Sequence, residues 1–563
     1  MSSWQAERAR VRELATRFWA WRAVHQPRTR DDIPRIERPG GWLPDWTADA
    51  VRRMRSELAV MESHLAGLTA ELTARLSAGP AAGPSTGLSA GPAARAVQVD
   101  LRLLGSALAR ARWELDLLRL WRRHPGFYVD QSLGPLFDLL LVPADFDRPR
   151  CAALLRFLEA VPATLATGLD NVGAHAVPAF TRLAVDELAD IGDRVRAVAG
   201  ELAGALPGTL TGRLRGAAGT AGRALEDYRR ALSRLPSGDR PATVGGQAFG
   251  FFLSRVALLP YTPEEMIALG RREYERACAR EAAEETRCRA APVLPRSARE
   301  QVRAQHEAEL RVRRFYEEHD LLTQPAWLPH YRTAPLPGYL APLAWLGIND
   351  DLTSPSRQAE HATSYVPEPA PDLPFFHYAN AVDPLLGIIH EGAHHQQLAL
   401  SWARADPVRR HYYDSAPNEG IAFYNEELML NHGLLDGSPH ARRIACTFMR
   451  LRALRVEVDV GLAVGGLGLD EAADRLARGA SVDAATAAQE AASFAAAPGQ
   501  GLSYQIGKAQ IERLIADARP AEGFRLRDLH DYLWRNGNVP IALLRWEYLG
   551  LRDELDRATA AAR

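Results

Sequence analysis

The sequence predicts a mostly α protein: a multi-helix body around a deep cleft, with a small β-element at one wall. Three observations lead there. Leu58, Met61, Leu65, Leu68, Leu72 and Leu76 recur at three- and four-residue steps, as one buried helix face requires. Thr262-Pro263-Glu264-Glu265 reads as a helix start, with Thr262 as N-cap, Pro263 at the first helical position and Glu265 completing a capping box. From Pro325 to Ala379 prolines are frequent and the helical period fades, so strand or extended chain is expected there.

Residues 1–240 read as a helical N-terminal region. Helical patterning covers Leu58 to Leu76, resumes from Val97 to Trp121, and returns from about Arg150 to Leu235. The Gly, Pro, Ser and Ala run from Ala78 to Ala96 offers little to bury and reads as a flexible surface loop. The turn from Pro236 to Gly246 marks a candidate boundary, after which residues 241–563 form a second region. A heavily charged helix or helix pair is expected from Pro263 to about His319. The runs Ala344–Ile348 and Pro374–Tyr378 then read as strands. His377 on the second run could face a cleft, but a plain edge-strand histidine is the simpler reading.

Composition narrows the function classes. Of 563 residues, 47% are hydrophobic and 24% charged, which excludes a disordered chain. A net charge of −1 argues against nucleic acid or an anionic membrane as partner. Cys151, Cys278, Cys288 and Cys446 form no CxxC, so neither a disulfide scaffold nor a cysteine zinc ribbon is expected. The first twenty residues carry charges throughout, unlike a signal peptide, and no run of 18 apolar residues stands out, so no spanning helix is expected. The expectation is a reduced, cytoplasmic protein, with its oligomeric state open.

Residues 390–395 read His-Glu-Gly-Ala-His-His and contain HExxH. On an α-helix, residues four apart lie about 40° apart around the axis, so His390 and His394 can converge on one Zn²⁺. Glu391 between them can deprotonate the attacking water. His395 is the alternative ligand, but at i+5 it lies about 140° from His390, so helix geometry favours His394. Glu419, in Asn418-Glu419-Gly420, can complete a His₂Glu set on a second, antiparallel helix and leave the fourth position open. Glu426 or Glu427 could orient a ligand histidine, although a solvent-facing glutamate is the plainer reading of each.

Several ordered blocks resemble the bacterial domain of unknown function 885 family. They are Tyr261-Thr262-Pro263-Glu264-Glu265 with Leu269-Gly270, and His390-Glu391-Gly392 with His394-His395-Gln396. Next come Glu419-Gly420 with Tyr424 and Glu426-Glu427, then Asp459-Val460-Gly461. Pro498-Gly499-Gln500 with Ser503-Tyr504 and Gly507-Lys508 follows, and His530-Asp531 with Gly537 and Pro540 closes the series. The resemblance spans roughly residues 245–555. It departs from the family pattern in a shortened metal block and in Leu462-Ala463, where the family carries a histidine.

The resemblance implies a gluzincin-like zinc metallopeptidase relative, with a metallopeptidase-like body and its β-element beside the zinc helix. It implies Tyr504 and His530 as oxyanion-stabilising groups. The expected function is hydrolysis of amide or peptide bonds, in short peptides, by a Glu391-activated water on zinc. Two alternatives stand: a biosynthetic metalloenzyme acting on a small-molecule amide or related bond, and a non-catalytic binding protein retaining the fold. Arg450, Arg452 and Arg455 could bind a substrate carboxylate, though surface charge is the plainer reading. His411 and His432 read as structural.

Overall fold

The computed structural model describes residues 3–29, 36–77, 91–204, 208–236, 238–287, 291–350, 355–403 and 406–561. Among them are 22 α-helices and one three-stranded sheet, so the mostly α expectation holds. Helix Ala48–Ser77 buries Leu58, Met61, Leu68 and Leu72, the face its spacing predicts. The expected loop 78–96 lies outside the described residues up to 90. Its end is helical instead, because Pro92 opens the helix Pro92–Arg112 at a first-turn position where a missing N–H costs nothing.

The capping box forms as predicted. The Glu265 backbone N–H donates to Thr262 Oγ1 at 3.2 Å, and the Thr262 N–H donates to Glu265 Oε2 at 2.9 Å. It starts the helix Pro263–Arg287, and the charged pair is completed by Ala298–Glu318.

Both strand assignments fail. Ala341–Leu346 is a 3₁₀ helix, and Phe375–Val382 is an α-helix that carries His377. Pro342 and Pro374 stand at helix starts, where proline's fixed φ is as much at home as at a strand end. The sheet is built elsewhere in the proline-rich stretch. It comprises β1 (Tyr331–Pro335), β2 (Asn349–Asp350) and β3 (Ala362–Val366), in the order β1-β3-β2. β1 pairs parallel and β2 antiparallel to the central β3.

The helix Arg148–Val172, with its continuation to His175, is long and apolar enough to cross a membrane by length and composition, which corrects the sequence reading on that point. Here its Leu154, Leu155, Leu158, Val161 and Leu165 lie in the core. The main hydrophobic cluster runs from Val11 to Leu555 and so draws on both sides of the Pro236–Gly246 turn.

One crossing positions the functional residues. Helices Ser415–Asn431 and Gln500–Ala518 meet at Gly420 and Gly507. A Cβ on Gly420 would lie 2.6 Å from Gly507 Cα, and one on Gly507 would collide with the Ala416 carbonyl oxygen. Only two glycines allow backbones this close. The consequence is that Glu419 and Tyr504, one residue before and three before these glycines, share one region. Gly507→Ala is therefore expected to destabilise the fold by about 3 kcal/mol, because backbone and not a flexible side chain must give way. Denaturant unfolding measures it, and an alanine variant as stable as wild type would contradict this role for the crossing.

Candidate metal centre

The helix Leu385–Trp402 carries HExxH, and Asp383 Oδ1 accepts from the Leu385 N–H at its start. The Ser415–Asn431 helix packs against it. His390 meets Glu426 while His394 meets Glu419, so the two helices run antiparallel, as expected.

The three candidate ligands come together. His390 Nε2 lies 3.2 Å from Glu419 Oε2 and 3.2 Å from His394 Nε2. His394 Nε2 lies 3.4 Å from Glu419 Oε2. For tetrahedral zinc with bonds of about 2.0–2.1 Å, donor atoms sit roughly 3.3–3.4 Å apart. The triangle therefore has the size of one face of such a tetrahedron. Two imidazoles and one carboxylate are also the donor set that zinc accepts with its fourth position open. The residues fit the ion.

His395 is not part of this triangle. It is buried, and its Nε2–H donates to the Pro329 carbonyl at 3.0 Å, toward the sheet. Its ring lies 6.2 Å from that of Tyr331 on β1, which places the sheet beside the HExxH helix.

Glu426 and Arg452 are where sequence reading fell short. Glu426 is fully buried, not solvent-facing, and accepts from His390 Nδ1 at 2.6 Å. That bond holds the ring with Nε2 facing Glu419 and His394. The other Glu426 oxygen is paired with Arg452, from the helix Pro439–Val464. Arg452 is 5% exposed, so the surface-charge reading is wrong for it. Glu427 is buried as well, but turns the other way, to Lys508 Nζ at 2.6 Å. Arg450 binds Glu281 and the Gly479 carbonyl, outside the centre.

Charge distribution follows the geometry. Burial disfavours the His390 cation, but hydrogen bonds to Glu419 and Glu426 outweigh it and push the imidazole up to about 9. Burial disfavours the Glu419 anion, yet His394 and His390 hold it well below the usual carboxylate range. The ligand cluster thus holds a proton in a cradle of carboxylates. A divalent cation would replace that proton, so metal binding should release it.

A cavity of about 400 Å³ opens on this centre. Glu391, His390, His377, Arg452, Arg455 and Tyr504 are among its lining residues. The Tyr504 ring stacks on His390, with centroids 6.1 Å apart. Its hydroxyl has no hydrogen-bond partner among the described residues, and burial together with the Glu419 charge keeps it protonated. Asp459 holds the start of its helix, accepting from the Gly499 N–H at 3.0 Å and the Leu502 N–H at 2.9 Å. Gly499 has φ +101°, a backbone shape that glycine alone adopts freely.

His530 does not reach the cavity. Its Nδ1–H donates to the Leu321 carbonyl at 2.8 Å, and its Nε2 accepts from the Tyr424 hydroxyl at 2.9 Å. Both nitrogens are committed, so it has no N–H for an oxyanion. His411 packs between Trp19 and Trp402, and His432 lies beside His319.

Burial holds His530 down to about 4 and does the same to His395. In the unfolded chain each returns to about 6.5. The unfolded state then binds the extra proton, so stability is present above pH 6.5 and lost as pH falls toward 4. Wild type should lose about 2 kcal/mol more stability between pH 7 and pH 5 than His530→Gln does. Equal pH slopes in denaturant unfolding would overturn this.

The family described as bacterial protein of unknown function (DUF885) matches residues 41–547. No curated protein matches. Among solved structures, one similar chain is a proposed lipoprotein of unknown function from Shewanella oneidensis. It has 16% identity and a TM-score of 0.62, over 97% of this chain and 99% of that one. Another is a proposed lipoprotein from Colwellia psychrerythraea, at 14% identity and a TM-score of 0.67, over 97% and 98% of the two chains. Both likenesses concern the fold alone. With residues 41–547 matched, more than half of its length, the chain belongs to the DUF885 family.

Proposed function

We propose that this protein is a zinc-dependent hydrolase of amide bonds in short peptides, with a gluzincin-like centre at the base of a cleft. The observation that carries the reading is the His390–His394–Glu419 triangle, sized for tetrahedral zinc, with Glu391 on the same helix lining the adjoining cavity. Zinc held there would polarise the scissile carbonyl and lower the pKa of water.

The chain's own residues do the rest. Glu391 takes a proton from the attacking water and carries it to the leaving amine nitrogen. The Tyr504 hydroxyl, protonated and unpartnered, donates to the oxyanion that forms on the carbonyl oxygen. Glu426 and Arg452 hold His390 in place. A cavity of about 400 Å³ suits a few residues of extended peptide, not a folded protein. The proposed compartment stays the cytoplasm, in keeping with the free thiols of Cys151, Cys278 and Cys446.

The test is a pool of short synthetic peptides read by mass spectrometry. Zinc-loaded protein should cleave a subset, chelation should stop it, and added zinc should restore it. Cleavage that survives complete zinc removal would sink the proposal.

A further inference from the structure

We propose that Arg455 is the anchor for the free C-terminal carboxylate of the substrate, so that the enzyme removes C-terminal residues from short peptides or N-acyl amino acids. This rests on the reading of the site as an amide hydrolase.

Arg455 lines the same cavity as the metal centre and is only 5% exposed. Its Nε donates to Glu490 Oε2 at 2.9 Å, and its Nη2 is paired with Glu490 Oε1. That bidentate grip fixes the plane of the guanidinium and leaves Nη1 to one side. Nη1 has no hydrogen-bond partner among the described residues, and it is not among the unpartnered atoms sealed from solvent. It therefore opens on the cavity with two unused N–H groups. A guanidinium edge held in a fixed plane at a cavity wall is matched best by a carboxylate.

The position agrees. Arg455 Cζ lies 4.9 Å from the centroid of the Tyr504 ring, which itself lies 6.1 Å from the His390 ring. One aromatic ring thus separates the anchor from the metal ligands. Each residue of an extended chain spans at most about 3.3–3.6 Å, so a carbonyl carbon one or two residues before the C-terminal carboxylate lies within roughly 3.5 to 7 Å of it. A short reach of this kind suits removal of one or two residues and not cleavage in the middle of a long chain. The other cavity arginine, Arg452, is already committed to Glu426. Burial keeps His377 on the neutral side.

In the reaction, the water oxygen bonds to the amide carbon and the C–N bond breaks. Glu391 moves the proton from water to the departing nitrogen. The products are the shortened peptide with a new carboxylate and a free amino acid or dipeptide still held on Arg455.

Binding tests the anchor without turnover. Zinc-loaded Glu391→Gln protein is titrated calorimetrically with N-acetyl-trialanine, with its C-terminal amide, and with N-acetyl-Ala-Ala-Glu amide. The free acid should bind at least about tenfold tighter than either amide, the advantage of a charge-assisted pair. In Arg455→Gln/Glu490→Gln, which removes both charges together and so leaves neither buried alone, that preference should vanish while zinc content stays at the wild-type level.

Acid and amide binding alike, or an acid preference that survives in the double variant, would overturn the anchor. The glutamyl amide binding as tightly as the free acid would overturn its assignment to the C-terminus. If the acid is preferred but no peptide is cleaved, the hydrolase reading fails and the anchor stands. If peptides are cleaved without regard to a free C-terminus, the reverse holds.

Discussion

Glu391→Gln should keep its zinc and lose about a thousandfold in kcat/KM on any peptide the wild type cleaves. Gln matches Glu in shape but cannot take a proton, so the substitution removes the base and little else. Glu391 faces the cavity and makes none of the contacts that hold His390, His394 or Glu419. The ligand triangle should therefore survive. Zinc content and steady-state kinetics on one preparation decide the matter. A variant that retains a tenth of wild-type activity, with its zinc in place, would remove Glu391 from the chemistry.

The second large effect belongs to Glu426. Removing it leaves Arg452 buried without its counter-charge and His390 Nδ1 without its acceptor. Breaking a buried pair from one side costs about 3–5 kcal/mol. Losing the group that orients a ligand histidine weakens metal binding about 10- to 100-fold. Glu426→Ala should show both losses, in denaturant unfolding and in competition with a zinc chelator. Glu426→Gln, which still offers an oxygen to His390, should bind zinc more tightly than the alanine variant. If Glu426→Ala matched wild type in both measurements, the carboxylate would have no part in the centre.

The contrast between these residues shows what the sequence carries. HExxH is legible because helix period alone brings two imidazoles to one face, and Glu419 because one more carboxylate on a following helix completes a known donor set. Glu426 had a signal as well: it lies seven residues after Glu419, two turns along the same face. Its partner did not. Nothing local distinguishes Arg452 from the many other arginines, because the burial that gives it meaning is made by Phe423, Phe448 and Tyr504 from three helices.

His530 illustrates the opposite error. A histidine in a matching block suggested chemistry, while its contacts show a side chain that ties Tyr424 to Leu321. The missed strands have a local cause. Short apolar runs next to proline fit a strand end and a helix start equally well, and tertiary pairing across 31 positions, Tyr331 with Ala362, decides between them.

The proposed chemistry depends on His390, His394 and Glu419. Elemental analysis of dialysed protein measures them most directly. It should find about one zinc per wild-type chain and almost none in Glu419→Ala, while His395→Gln, whose amide can still donate to Pro329, keeps its zinc. Wild-type protein without zinc, or zinc lost from His395→Gln and retained by Glu419→Ala, would contradict this centre.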